Sequence, residues 1–354
     1  MAFLQVIWEG IWAVLSLGNF ALIKILLIAN IILITVSYLV YFERKISAWT
    51  QNRIGPNRVW WRGALQPFAD VFKLLLKEDI IPDKSIKPLH ALAPFIALFV
   101  AFSSYAVIPI GPSIQIGGET VNLVVADVNM GILYVLALTS IGVYAITFAG
   151  YSSGSKYSLL GGIRSAAQMI SYEVSMGFSI AGVVLMAESL SPLKIVEAQS
   201  GLMWNAFIQP IGFITFVVAA FAETNRLPFD LPEAEPELVG GFHTEYSSMK
   251  FAGFFLAEYA NMIIASSMIV TLYLGGWQIP FIETLGLGTT LTVLLQIGAF
   301  MVKMGALLFF FIWVRWSIPR FRYDQLMSLG WKVMFPLSLL NVVWVAVLIM
   351  LFNV

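Results

Sequence analysis

Along the chain, long apolar runs alternate with shorter polar stretches. A helix needs about 20 consecutive apolar residues to cross the hydrocarbon core of a bilayer. Eight segments qualify, at 21–42, 92–111, 129–150, 167–187, 205–222, 252–275, 290–314 and 334–352. None shows the period-two alternation of a strand, and each is longer than a barrel strand requires. The pattern predicts an all-α polytopic membrane protein of eight transmembrane helices, folded as a single membrane domain over 1–354. Residues 2–18 are apolar but interrupted by Glu9, so they either extend the first span or lie on the membrane surface.

A different period appears in the stretch GALQPFADVFKLLLKE, residues 63–78. Leu65, Phe68, Phe72, Leu75 and Leu76 recur at helical spacing, while Gln66, Asp70, Lys73 and Lys77 fall on the other face. This predicts an amphipathic helix in the interface plane, serving as a surface anchor or as a lid over the entrance of an apolar ligand. Upstream, Gly55-Pro56-Asn57 forces a turn after a dense group of Glu43, Arg44, Lys45 and Arg53 interleaved with Tyr41, Phe42 and Trp49. Such a mixture suits an amphiphile with a polar head and an apolar tail, although bases at a membrane boundary also serve as orientation signals.

Charge then sets the topology. The loops at 43–91, 151–166, 223–251 and 315–333 hold seventeen of the twenty basic residues; Lys194 lies in an opposite loop, and Lys24 and Lys303 fall within spans. By the positive-inside rule these four loops face the cytoplasm, and both termini lie on the outer, periplasmic side. The chain is 59% hydrophobic and 11% charged, with no cysteine and two histidines. Thiolate chemistry and cysteine-held zinc or iron–sulfur clusters are therefore excluded within it. His90, beside Pro88, reads as a surface residue, and Asp127 as a boundary residue before the third span. GYSSGSK at 150–156 has the wrong glycine spacing for a phosphate loop, and Tyr157 stands where Ser or Thr should follow the lysine.

Against this sparse background, AETNRLPFDLPEAEPELVGGFHTEY carries six carboxylates: Glu223, Asp230, Glu233, Glu235, Glu237 and Glu245. Pro228, Pro232 and Pro236 exclude a continuous helix from 226 to 237. The stretch is either a solvated acidic loop that docks a basic partner or a partly dry cluster. In a dry cluster, crowded carboxylates raise one another's pKa and titrate together, so they hold and pass protons near neutral pH. Glu173, Glu258 and Lys303 lie inside spans, where a charge costs about 3 kcal/mol on insertion scales and marks a polar pathway or a structural ion pair. Glu173 and Glu258 are expected about two turns in from the cytoplasmic ends of their helices, and Lys303 nearer the midplane. His243 is a further, isolated candidate in the acidic loop.

The segments ERKISAWTQNRIGPN, GALQPFADVFKLLLKED, GGIRSAAQMISYE, AETNRLPFDLPEAEPELVGGFHTEY and PRFRYDQLMSLGWK resemble hallmark segments of one family. That family is the quinone-site membrane subunit of proton-pumping NADH:quinone oxidoreductase, respiratory complex I. The resemblance runs from about residue 35 to 340, in order and with eight spans. It implies a multi-pass subunit of the cell inner membrane, or of an organellar inner membrane if the chain is not bacterial, that is not catalytic alone. It also implies a tunnel for a long-tailed quinone, with quinone as substrate and the flavin (FMN) and iron–sulfur clusters held in partner subunits. The implied partners are peripheral-arm quinone-site subunits, small membrane subunits, antiporter-like pumping subunits and lipids, with no nucleic acid. By motif, a carboxylate path would comprise Glu173, Glu223, Asp230, Glu233, Glu235 and Glu258, with Arg226 as the basic partner inside the acidic loop. Arg44, Lys45, Arg53, Asp70 and Phe242 would join Arg226 in binding quinone. Lys303 joins the proton path from position alone.

Three other readings compete. A stand-alone cation transporter would use the membrane carboxylates itself, but the chain shows no internal repeat and no paired broken helices. A scaffold would dock a soluble arm and conduct nothing. Within the homologous group, the related subunit of a ferredoxin-driven quinone reductase or a membrane-bound hydrogenase has the same outline.

Overall fold

The computed structural model describes residues 2–116, 119–201, 203–233, 235–282 and 289–352. Its helices are α1 (Ala2–Thr50), α2 (Gln66–Leu76), α3 (Lys87–Ser104), α4 (Gly131–Ser152), α5 (Lys156–Ala187), α6 (Pro192–Ala198), α7 (Asn205–Ile208), α8 (Pro210–Glu223), α9 (Glu235–Leu238), α10 (Ser248–Tyr273), α11 (Thr289–Ser317), α12 (Tyr323–Leu329) and α13 (Phe335–Phe352). Between α3 and α4 a short antiparallel hairpin pairs β1 (Ile114–Ile116) with β2 (Glu119–Val121), in the register Ile114 to Val121. The all-helical expectation is amended by that hairpin, which the apolar run-length signal does not register.

Among the described residues, seven helical segments are long and apolar enough to cross a membrane. The expected fifth span, 205–222, is broken in two. Pro210 cannot continue the helix from Ile208, so α8 is a separate helix of 14 residues, roughly 21 Å at 1.5 Å per residue. The first expected span and residues 2–18 instead form one helix of 49 residues. The expected loop at 151–166 contracts to a turn, because α5 starts at Lys156. Glu173 therefore lies more than four turns into α5, not two, and Glu258 nearly three turns into α10.

Helix α10 is the core of the bundle. From Tyr259 to Tyr273 every residue but Asn261 is buried, between α3 on one side and α11 and α1 on another. Helix α5 is the second pillar and packs on α4, α8 and α13. Small residues allow the close approaches: a Cβ at Gly150 would lie 2.5 Å from the Ser158 carbonyl. The rim differs. Leu26, Ile34, Val302 and Met350 are exposed, as expected of side chains that meet lipid or partner chains.

Helix α2 fulfils the amphipathic prediction with shorter bounds than 63–78. A 3₁₀ turn, Trp61–Gly63, precedes it, and Pro67 sits in its first turn. Its apolar face, Phe68, Val71, Phe72, Leu75 and Leu76, is uncovered in this chain. Its far end is fastened to the start of α10, where Ser248 Oγ donates to the Leu74 carbonyl (3.1 Å) and Lys250 pairs with Asp79 (2.7 Å).

Candidate functional site

The acidic loop is held tightly against the bundle. Asn225 takes a left-handed conformation (φ 52°) that reverses the chain after α8. The buried Gln168 amide on α5 then donates to the carbonyls of Ala222 and Phe229, both at 2.7 Å. Further on, the Phe242 amide donates to the Pro232 carbonyl (3.3 Å). Gly241 makes that approach possible, since at φ +62° a Cβ there would lie 1.6 Å from the Pro232 oxygen. The carboxylates are thus folded inward.

At the base of the loop, Arg226 organises a buried charge network. Its Nη1 donates to Glu43 Oε2 at 3.0 Å, its Nε lies 2.7 Å from Glu258 Oε1, and its guanidinium stands 4.1 Å from the centroid of the Tyr259 ring. Glu43 also accepts from Arg315 (2.5 Å) and from the Tyr259 hydroxyl (2.8 Å). Two carboxylates thereby face two guanidinium groups, so the group is neutral overall. Burial opposes the charge on Arg226, but Glu258 and Glu43 outweigh it and hold its pKa above the ordinary arginine value. Beside this network, Arg320 pairs with Asp230 at 2.5 Å. Burial of the Asp230 carboxyl outweighs that pair and pushes its pKa up to about 6.

Above the network lies a cavity walled by α3, α4, α5, α8, α10 and the acidic loop. Glu223, Glu233 and Glu258 line it together with Thr139, Asn225 and Asn261, amid apolar walls that include Met176, Phe216, Phe242 and Met268. Burial, and then the charges of Glu258 and Asp230, push Glu233 up to about 8. His243 Nδ1 stands 3.8 Å from Glu233, and burial pushes His243 down to about 4. Burial thus opposes charge on both neighbours, and their separation is longer than a hydrogen bond. The site presents carboxyl groups that can take up or release protons to a low-dielectric space.

The remaining predicted residues fall in three places. Glu173 accepts a short hydrogen bond from Ser140 on α4 and is half-buried at the edge of the cavity group. The Glu235 side chain lies outside the described residues. Arg44 on α1 pairs with Asp70 on α2 (2.7 Å) at the surface; Lys45 lies 5.6 Å from the Tyr41 ring centroid; Arg53 bonds Gln51 at 2.6 Å. Phe242 is buried against Phe254, 5.2 Å between centroids.

Lys303 is not brought to the acids. Its ammonium donates to the carbonyls of Leu274, Gly276 and Gln278 (2.8, 3.0 and 2.8 Å) and lies 4.2 Å from the Trp204 ring centroid. It thus closes the C-terminal end of α10, roughly 24 Å along the helix from Glu258 at 1.5 Å per residue. His90 is another correction. It is fully buried, because α3 starts at Lys87, and its ring stacks on Tyr246 at 4.0 Å.

Sequence reasoning missed Glu43, Arg315, Arg320, Tyr259, Thr139 and Ser140 as members of the site. Glu43 stood within a charged segment already singled out, whereas Arg315 and Arg320 read only as topology signals.

The fold and the site together define a polytopic membrane protein that carries a buried, carboxyl-lined cavity at its loop-rich end. The sequence matches the NADH dehydrogenase family over residues 23–346. It is 54% identical over 338 residues to NADH-quinone oxidoreductase subunit 8 of Rhodothermus marinus, covering 92% of this chain and 96% of that one. It is 52% identical to the NADH-quinone oxidoreductase H subunit of Salinibacter ruber (92% and 95% covered) and 50% identical to an H subunit of the same enzyme from Geobacter metallireducens (93% and 95%). The chain belongs to the NADH dehydrogenase family, as the membrane-embedded H subunit of NADH-quinone oxidoreductase, and works as one part of that oxidoreductase.

Proposed function

We propose that this subunit forms the entrance and much of the chamber for a long-tailed quinone in the inner membrane of the cell, and that its buried carboxyls couple quinone reduction to proton translocation. The observation that carries the reading is the convergence of Glu223, Glu233 and Glu258 on one cavity, with Arg226 tying Glu258 to Glu43. Reduction of a quinone consumes two electrons and two protons, so negative charge develops transiently in a low-dielectric space. Neighbouring carboxyls respond by changing their proton occupancy. The apolar cleft between α1 and α11, lined by Tyr38, Phe42, Met304 and Phe309, supports entry of an isoprenoid tail from the membrane. In this reading Arg44, Lys45, Arg53 and Asp70 attend the tunnel mouth, and Arg226 and Phe242 the chamber. Electrons arrive from cofactors of the peripheral partner subunits, and protons leave along Glu173 toward the pumping subunits.

Glu223→Gln and Glu173→Gln are expected to lower NADH-driven quinone reduction and coupled proton uptake in proteoliposomes by about 10²-fold, at the lower end of what positioned proton-transfer groups contribute. Assembly, measured by NADH oxidation with a water-soluble acceptor, is expected to survive. Full coupled activity in both variants would remove the carboxylate path.

A further inference from the structure

Two hydroxyls stand side by side in the otherwise apolar middle of α4, in the stretch VLALTSIGVYA. A Ser or Thr within a helix commonly bonds back to a carbonyl three or four residues earlier, and both do: Thr139 Oγ1 donates to the Leu136 oxygen at 3.0 Å and Ser140 Oγ to the same oxygen at 2.9 Å. Back-bonding does not account for what lies on their other sides. The Thr139 side chain lines the acid cavity together with the Glu223 carboxyl on α8. Ser140 Oγ bonds Glu173 on α5, which does not line that cavity. One helix thus places adjacent hydroxyls against two acids that belong to two other helices.

We infer that Thr139 and Ser140 are a relay pair that carries protons between Glu223, which lines the cavity, and Glu173, which does not. The inference rests on the carboxylate path proposed above and names its connection across α4. Both hydroxyls lie within hydrogen-bond distance of one carbonyl, so about 6 Å at most separates them, which one water can bridge. Ser140 has a single hydroxyl proton and two acceptors, the Leu136 carbonyl and Glu173. It points to the carboxyl while Glu173 is ionised and turns to the carbonyl when Glu173 is protonated. Glu223 then gives its proton to the Thr139 oxygen, Thr139 gives its own through the water to Ser140, and Ser140 gives its own to Glu173. Glu223 loses one proton, Glu173 gains one, both hydroxyls are restored, and no electron moves.

The test is made on the assembled oxidoreductase in proteoliposomes, reading quinone reduction, protons moved per quinone and the solvent deuterium isotope effect. Thr139→Val and Ser140→Ala are expected to cut coupled turnover by about 10²-fold. Thr139→Ser and Ser140→Thr, which keep a hydroxyl, are expected to restore most of the rate and to show the parent isotope effect. Should Thr139→Val fail to assemble, Thr139→Ala is read in its place. Parental turnover in the hydroxyl-free variants, with Glu173→Gln and Glu223→Gln inactive, would overturn the relay while leaving the acid path standing. Parental turnover in the two glutamine variants would overturn both.

Discussion

At the scale of single residues, the site is governed by what it costs to keep charge out of water. Arg226 is the group whose loss should be felt most, since its side chain is 2% exposed and faces Glu43 and Glu258. Removing one partner of a buried ion pair costs about 3–5 kcal/mol, because the other charge stays buried and uncompensated. Arg226→Met is accordingly expected to lower the thermal midpoint and the amount of assembled complex, and Arg226→Lys to recover part of the loss. Glu233 gives a pH signature. Its pKa is raised by burial from 4.5 in the unfolded chain to about 8, so the folded state binds the extra proton between these values. Its contribution to stability is complete below pH 4.5 and is lost as pH rises through 8. The thermal midpoint of the parent complex is expected to fall across that window, and Glu233→Gln to flatten the fall. The acids themselves were legible in the sequence, because carboxylates are rare in so apolar a chain. Their partners were not: Arg315 meets Glu43 across 272 positions, and nothing local distinguishes it from a base that orients a span.

At the scale of elements, apolar run length locates the helices but not their ends. The first turns of α5 are polar, with Lys156 and Tyr157 exposed, yet they are helical; Ser158 packs on Gly150 of α4, and Gly161 against Pro232 and Gly241 of the acidic loop. The break at Pro210 follows from the proline itself, whereas the π-helical turn Gly330–Met334 before α13 lies beside Tyr172, whose hydroxyl donates to the Leu326 carbonyl at 2.9 Å. The acidic loop was legible as irregular from its prolines, but its inward fold was not, since that depends on Gly241 and on Gln168 reaching over from α5. Gly241→Ala should displace Phe242 from the cavity wall. Beyond the clash with Pro232, a non-glycine residue in that conformation costs about 1–3 kcal/mol. The expected outcome is loss of quinone reduction with the membrane helices intact by circular dichroism. Gly240→Ala, whose Cβ would meet no atom closer than 3.2 Å, should retain it.

For the whole molecule, the bundle separates two regions along α10. At one end the helix carries Glu258 and Tyr259 into the charge network; at the other its carbonyls are closed by Lys303 and Trp204. The positions of Glu258 and Lys303 in the sequence suggested a common polar route, because depth within a span was visible and direction of reach was not. A lysine stem long enough to reach the end of a neighbouring helix satisfies its charge there instead. The amphipathic α2, the α10 start and the acidic loop meet at the opposite end, which makes that end the meeting point of membrane, quinone and partner subunits in the proposed function. The central claim is that quinone reduction changes the proton occupancy of the cavity acids. Infrared difference spectra of the assembled complex, recorded as NADH drives quinone reduction, read this directly through the carbonyl stretch of protonated carboxyl groups. The account predicts a carboxyl difference band that shifts in deuterium oxide and is diminished in both Glu223→Gln and Glu233→Gln. A spectrum without such a band, or one unchanged in both variants, would contradict it.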